Sequence, residues 1–305
     1  MISIRLAASA AATAIIALLL TPPAVAAQIF FSGNGSGSAC TAAAPCTLAQ
    51  AVSTAVDGQE LACADSSDNA VIGNIGITKS IVIDCAGTAA TLGALSIEGS
   101  SSSVVVLRNL TVSIGTIFVG SGTAILDHVH IAGGQGATTR ALLDVQALVP
   151  GVTVVVRNSV IENGGVGGVS ISAGVLNASA SVRLDRVTIA GNTGGGLKID
   201  TTSGPFTVDV TDSEISSNTG NGLNVVCPTG GPALLSISRG VIAKNGAAGV
   251  QTNGACAAAL IDTTLFDSNA SGATSIVNGG RIMTYGNNRL VNFPGSGFSG
   301  PTALQ

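Results

Sequence analysis

The sequence contains no Trp, one Tyr and two His among 305 residues, and its aromatic content is 3%. Charged residues are scarce as well, at 9%. A compact globule fills its core with large side chains, so the lack of rings points to a narrow interior of Val, Ile, Leu and Ala. No basic run and no aromatic–basic interleaving occurs, which argues against nucleic acid as a partner. The net charge is only −4. Hydrophobic residues reach 46%, which argues against disorder. After the first 27 residues no segment approaches the roughly 20 unbroken apolar residues of a membrane span, so the mature chain is expected to stay out of the bilayer. There is no phosphate-binding loop, dinucleotide fingerprint, His-Glu-x-x-His or nucleophile elbow. The glycine-rich Gly33-Asn-Gly-Ser-Gly37 lacks the strand-to-helix setting of a phosphate cradle.

What is present begins with a targeting pattern. Arg5 precedes an apolar stretch over 6–20, Thr21-Pro22-Pro23 interrupts it, and Ala24-Val25-Ala26 supplies small residues at cleavage spacing. The expectation is a signal peptide over 1–27, with a mature start near Ala27 or Gln28, and an exported protein, periplasmic or extracellular. Six cysteines follow, and an even count in an exported chain favours disulfides over metal.

A repeat dominates the rest. Segments 159–169, 188–197, 214–223 and 241–250 share the pattern Ile-x-x-Asn-x-x-x-Gly-(Leu/Val), although the first has Gly164 at the Asn position. The anchors Ile161, Ile189, Ile215, Ile242 and Phe266 lie 28, 26, 27 and 24 residues apart. A fixed period of this size marks a solenoid. Before each anchor lies an alternating stretch such as Thr207-Val-Asp-Val210; after it comes Gly-(Leu/Val)-x-(Ile/Val/Thr), as in Leu197-Lys-Ile199 and Leu223-Asn-Val225. Period-two alternation rich in β-branched residues indicates half-buried strands. No stripe of helical period separates them, so strands must stack coil upon coil.

The repeated Asn is expected to turn a corner in the left-handed conformation and to stack into an internal amide ladder of Asn192, Asn218, Asn245 and Asn269. The repeated Gly168, Gly196, Gly222 and Gly249 are expected to supply positive φ at a second corner. An amphipathic stretch over 47–56 places Leu48, Ala51, Val52, Ala55 and Val56 on one face and reads as a cap for the open first coil. The expected organisation is therefore a signal peptide over 1–27, an entry segment and cap over 28–59, coils over 60–290 and a covering tail over 291–305.

This pattern resembles the pectin-lyase-like superfamily of right-handed parallel β-helix proteins. More closely, Cys40-Thr-Ala-Ala-Ala-Pro-Cys46-Thr-Leu-Ala-Gln-Ala, followed by Asp57-Gly58-Gln-Glu-Leu, looks like the entry segment of exported bacterial β-helix repeat proteins. The fold class expected is all-β, a single-stranded right-handed parallel β-helix with a short N-terminal capping helix. Activity does not follow, because the superfamily spans lyases, hydrolases, epimerases, adhesins and proteins of unknown role.

The repeat also constrains the cysteines. Equivalent Cα atoms on neighbouring coils lie about 4.8 Å apart, within disulfide range. Cys63 and Cys85 are about one coil apart, and Cys227 and Cys256 follow the repeated Gly on adjacent coils, so both pairs are expected to bridge coils. Cys40 and Cys46 are expected to close a small loop before the cap.

Chemistry is harder to find. Pectate lyases of the superfamily use a calcium-binding carboxylate cluster and a proton-abstracting base, with an Asp-His pair at a strand edge. Leu126-Asp127-His128 resembles that pair without the family's flanking Trp. In a regular strand His130 would share a face with His128. Asp127, His128 and His130 are thus the candidate catalytic cluster, set against the plainer reading of a polar corner. The aspartate, Gly-His-Gly and Arg-x-Lys strings of polygalacturonase-like hydrolases are absent. Asp185, Asp209, Asp212 and Asp262 could be assembled from neighbouring coils, but Arg186, Asp212 and Arg239 read as an exposed alternating-charge ladder.

The leading reading is an exported, non-catalytic β-helix monomer with a structural, surface or binding role. The alternatives are a polysaccharide-active enzyme, lyase before hydrolase, and an adhesin-like module. The partner class is a polysaccharide or cell-surface glycan. No cofactor or metal is assigned, and calcium enters only with the lyase alternative.

Overall fold

The computed structural model describes residues 28–66, 68–69, 74–133, 139–292 and 297–301. The segment read as a signal peptide, residues 1–27, lies outside them. Within them the chain is an all-β parallel solenoid with one short helix.

Each regular coil carries strands on three faces, and all strand-to-strand pairings are parallel. The first face begins with Ile29–Phe31 against Gln59–Cys63 and ends with Arg281–Thr284 against Gly300–Pro301. In the middle of the stack it runs from Phe206–Thr211 to Ala233–Ser238 to Ala257–Asp262. The second face stacks Glu214–Ser216, Val241–Ala243, Leu265–Asp267 and Arg289–Val291. The third stacks Leu143–Ala147, Val169–Ala173, Leu197–Asp200, Leu223–Val226, Val250–Asn253 and Thr274–Val277.

Alternation sends every second side chain inward. Phe206–Thr211 follows the burial pattern buried, exposed, buried, intermediate, buried, intermediate. The anchors Ile161, Ile189, Ile215, Ile242 and Phe266 are in register from coil to coil and all buried. Burying each such aliphatic side chain contributes about 1.5–3 kcal/mol. The interior is too narrow for many rings, which accounts for the low aromatic content; Phe31, Phe206 and Phe266 are buried, and Phe293 lies outside the described residues.

The corner between the first and second faces is made by one left-handed residue per coil. Asn109, His128, Asn158, Arg186, Asp212, Arg239 and Thr263 hold φ between 45° and 55°. None is glycine, so each turn carries a conformational cost of roughly 1–2 kcal/mol, which hydrogen bonds between coils offset. Asn158 donates to Asp127 at 2.9 Å, and Arg239 meets both Asp212 oxygens at 2.7 and 2.8 Å.

The second corner differs from the sequence expectation. The left-handed residues are Asn163, Gly191, Ser217, Lys244 and Ser268, each one position before the repeat's Asn position. The repeated Asn itself turns inward. Asn192, Asn218, Asn245 and Asn269 are 0–3% exposed and form an amide ladder. The Nδ2 of each of the first three donates to the Oδ1 of the next at 2.8–2.9 Å. The second hydrogen of Asn218 goes to the Ile189 carbonyl at 3.1 Å, and Asn218 Oδ1 also accepts from the Asn192 backbone N–H at 3.0 Å. Every amide group inside the ladder is thereby satisfied, which a buried polar group requires.

The repeated glycines also differ from expectation. Gly168, Gly196, Gly222 and Gly249 are not among the positive-φ residues. They are small because the next coil approaches closely. A Cβ on Gly222 would lie 2.7 Å from the Gly249 carbonyl oxygen, 2.8 Å from Asn245 Nδ2 and 3.0 Å from Ile242 Cγ2.

The cap is the helix Leu48–Thr54, started by Thr47, whose hydroxyl accepts from Gln50 N–H at 3.2 Å. Leu48, Ala51, Val52 and Ala55 are buried, whereas Val56, beyond the helix, is 58% exposed. Disulfides join Cys40 to Cys46, Cys63 to Cys85 and Cys227 to Cys256, with Cα separations of 4.7, 4.8 and 5.4 Å.

Candidate functional site

The sequence candidates lie around the first corner. Asp127 points outward on the first face, in a row that reads Asp84, Arg108, Asp127, Arg157, Asp185 up successive coils. It contacts Arg157 at 3.0 Å, His128 at 2.9 Å and Asn158 at 2.9 Å. Burial alone would raise its carboxyl. Hydrogen bonds from Asn158 and Arg157, with the charges of Arg157 and His128, instead bring it below the usual carboxylate range. This is a link in a row of alternating charge.

His128 and His130 do not share a face as a regular strand would require. His128 is itself the left-handed corner, so the chain turns between them. His130 is paired with Glu162 at 2.9 Å, on the far side of that turn. The expected Arg186–Asp212–Arg239 ladder is also only partly formed. Arg239 grips Asp212, but Arg186 bonds Asp185 at 3.0 Å and Asn158 at 2.8 Å. Asp209 is registered beside Arg183 on the first face, and Asp262 accepts from Asn287 at 2.6 Å. Among the described residues no group of three His, Cys, Asp or Glu side chains is placed to hold a metal ion.

A different region has the form of a binding site. On the third face the outward position of each strand stacks Ser96, Phe118, Asp144, Ser170, Lys198, Asn224 and Gln251. Two neighbouring cavities lie over this row, of about 490 and 290 Å³, and Thr139 and Arg140 line both. The first takes in Ser96, Glu98, Thr116 and Phe118; the second takes in Asp144, Ser170, Lys198 and Asn224. Gly167, Gly194 and Gly195, from the loops entering the third face, also line the second cavity. The groove crosses coils, so its polar groups recur at about 4.8 Å intervals.

Arg140 sits where the cavities meet. Its Nη1 donates to Asp144 Oδ2 at 2.7 Å, and its guanidinium lies 5.0 Å from the centre of the Phe118 ring. Burial pushes the Asp144 carboxyl above the usual range, and the pairing with Arg140 opposes that shift without cancelling it. Lys198 Nζ lies 3.2 Å from Asp200. Burial would raise Asp200, but Thr202 and Lys198 together hold it low. Among the described residues Asn224 Oδ1 is enclosed and has no donor. The groove offers hydroxyl and amide side chains and two cations that already have carboxylate partners.

Arg140, Asp144, Lys198 and Asn224 form no sequence motif. A signal existed in the variable position of Gly-(Leu/Val)-x-(Ile/Val/Thr): read up the repeats it gives Ser170, Lys198, Asn224 and Gln251. Nothing in that list says that the positions lie side by side under a groove.

No protein-family model and no curated protein matches the chain. Among solved structures, a pectate lyase superposes with a TM-score of 0.49 at 13% identity, over 82% of this chain and 78% of that one. The A-module of an Azotobacter vinelandii mannuronan C-5 epimerase gives 0.43 at 12%, over 87% and 100%. These likenesses do not bear on the chemistry of the groove. The chain is a parallel β-helix with a polar groove across its third face.

Proposed function

We propose that this is an exported β-helix protein, periplasmic or extracellular, that binds a polysaccharide along the third face and acts by binding rather than by catalysis. The observation that carries the reading is the groove from Ser96 to Asn224, in which polar side chains recur up the stack. A chain of sugar hydroxyls matches such a row, because it repeats donors and acceptors along its length. The disulfides support export, since such bonds persist in oxidising compartments.

The test is affinity electrophoresis of the protein through gels containing a panel of polysaccharides, alongside assays for new reducing ends and unsaturated product with and without calcium. Retardation without product supports the proposal, and Asn224→Leu should weaken it about tenfold. No retardation on any polysaccharide would sink it.

One observation favours a catalytic alternative. Asp144 is a largely buried carboxyl, raised above its usual range, inside a cleft, which is the setting of a general acid. Product formation abolished by Asp144→Asn would establish that alternative. Calcium-dependent cleavage lost in His128→Ala would instead return the chemistry to Asp127 and His128.

A further inference from the structure

We infer that the groove is built for a neutral, hydroxyl-rich glycan and discriminates against polyuronates and other anionic chains. This rests on the proposed binding role of the third face and adds the class of ligand.

The argument is one of charge. An anionic chain needs uncompensated positive charge along its path. The groove is lined by two cations, Arg140 and Lys198, and the charge of each is compensated by a carboxylate beside it. Arg140 is held by Asp144 at 2.7 Å, and its guanidinium is also laid against Phe118. Lys198 is held by Asp200 at 3.2 Å. Glu98 adds a further carboxylate to the lining, where it accepts from Ser96 at 3.0 Å. With Asp200 counted, carboxylates outnumber cations along the row. The segments 70–73 and 134–138, which adjoin Asn74 and Thr139 in the chain, contain no ionisable residue.

The remaining groups suit hydroxyls. Ser170 can donate and accept, Ser96 and Thr116 can accept while their own hydrogens go to Glu98 and the Ala141 carbonyl, and Phe118 gives one apolar surface for a ring. A carboxylate brought between Asp144 and Asp200 would face like charge in a partly enclosed site. A hydroxyl there would accept or donate without that repulsion.

Calorimetric titration of the disulfide-intact protein tests this, with neutral gluco-, xylo- and manno-oligosaccharides in one arm and oligogalacturonate and oligomannuronate in the other, at low and high salt. The expected result is binding of a neutral oligosaccharide that changes little with salt, and an affinity for uronates at least about tenfold weaker. Ser170→Trp, which fills the groove from an outward strand position, should abolish neutral binding while the protein melts as a folded β-structure. Asp200→Asn frees Lys198 and should raise uronate affinity several-fold. Tight uronate binding that falls steeply with salt would overturn the inference and leave the binding role standing. Neutral binding untouched by Ser170→Trp would move the site elsewhere and overturn the inference. Silence in both arms would overturn the binding role itself.

Discussion

At the scale of the residue, the fold depends on small side chains placed for unlike reasons. Asn218 accepts from Asn192 and donates to Asn245 and to the Ile189 carbonyl, all away from water. Asn218→Leu strands these partners and should cost about 2–3 kcal/mol or more in urea unfolding; an unchanged midpoint would remove the ladder from the list of stabilising features. Gly222 and Gly58 separate two kinds of glycine. Gly222 has no room for a Cβ, whereas Gly58 has open space around it and a φ of +82°. Asn tolerates the left-handed region, so Gly58→Asn should melt within a few degrees of the parent. Gly222→Asn should lose about 1–3 kcal/mol through overpacking. Asp144 and Asp127 should respond to pH in opposite directions. The fold raises Asp144 above its ordinary value of 3.8, so the stability it contributes is present below that value and is lost as pH rises through the raised pKa. The fold lowers Asp127, so its contribution is present above 3.8 and is lost as pH falls through the lowered pKa. In unfolding measured across pH, the wild-type advantage over Asp144→Asn should shrink with rising pH, and that over Asp127→Asn should grow.

At the scale of the element, each strand depends on the coils above and below it. The ends are where this fails, since an unpaired strand edge recruits other chains. The helix Leu48–Thr54 lies at the N-terminal end, with Leu48, Ala51 and Val52 buried. Cys63–Cys85 ties the early coils, and Cys227–Cys256 ties coils near the other end across 29 residues of sequence. Replacing both Cys227 and Cys256 by Ser should lower stability by about 2–4 kcal/mol, read as a lower melting temperature that no longer responds to reductant at that site. The helix was legible in the sequence because its apolar spacing is a local feature. The exact role of the second corner was not. The internal ladder could be read from the repeated Asn, but only the tertiary structure shows that the residue before Asn192 makes the turn and that Gly196 is small for clearance.

At the scale of the whole molecule, stability is close to a sum of coils and the interfaces between them. Ile189 is registered directly under Ile215, so residues 189–214 amount to one coil. Deleting them keeps every cysteine and joins equivalent positions. The shortened protein should fold, give the same β circular dichroism and unfold cooperatively with a smaller urea dependence. A deletion of half that length should not fold, because it would bring a strand of one face under a strand of another. The shortened protein also lacks Lys198 and a step of the groove, so any glycan it binds should be bound more weakly.

The sequence by itself determined the solenoid, its period, its inward and outward alternation and the cysteines that could meet. All of these follow from local spacing, which a coil of constant length carries from one turn to the next. Only the tertiary structure decided which outward residues share a surface. Phe118, Asp144, Ser170, Lys198 and Asn224 are each about a coil apart in sequence, and stacking makes neighbours of them. The same stacking places Asp127 in a charge row, because its partner Arg157 comes from the coil above. A side chain's setting here is fixed by residues one coil away, and a motif read along the chain contains none of them.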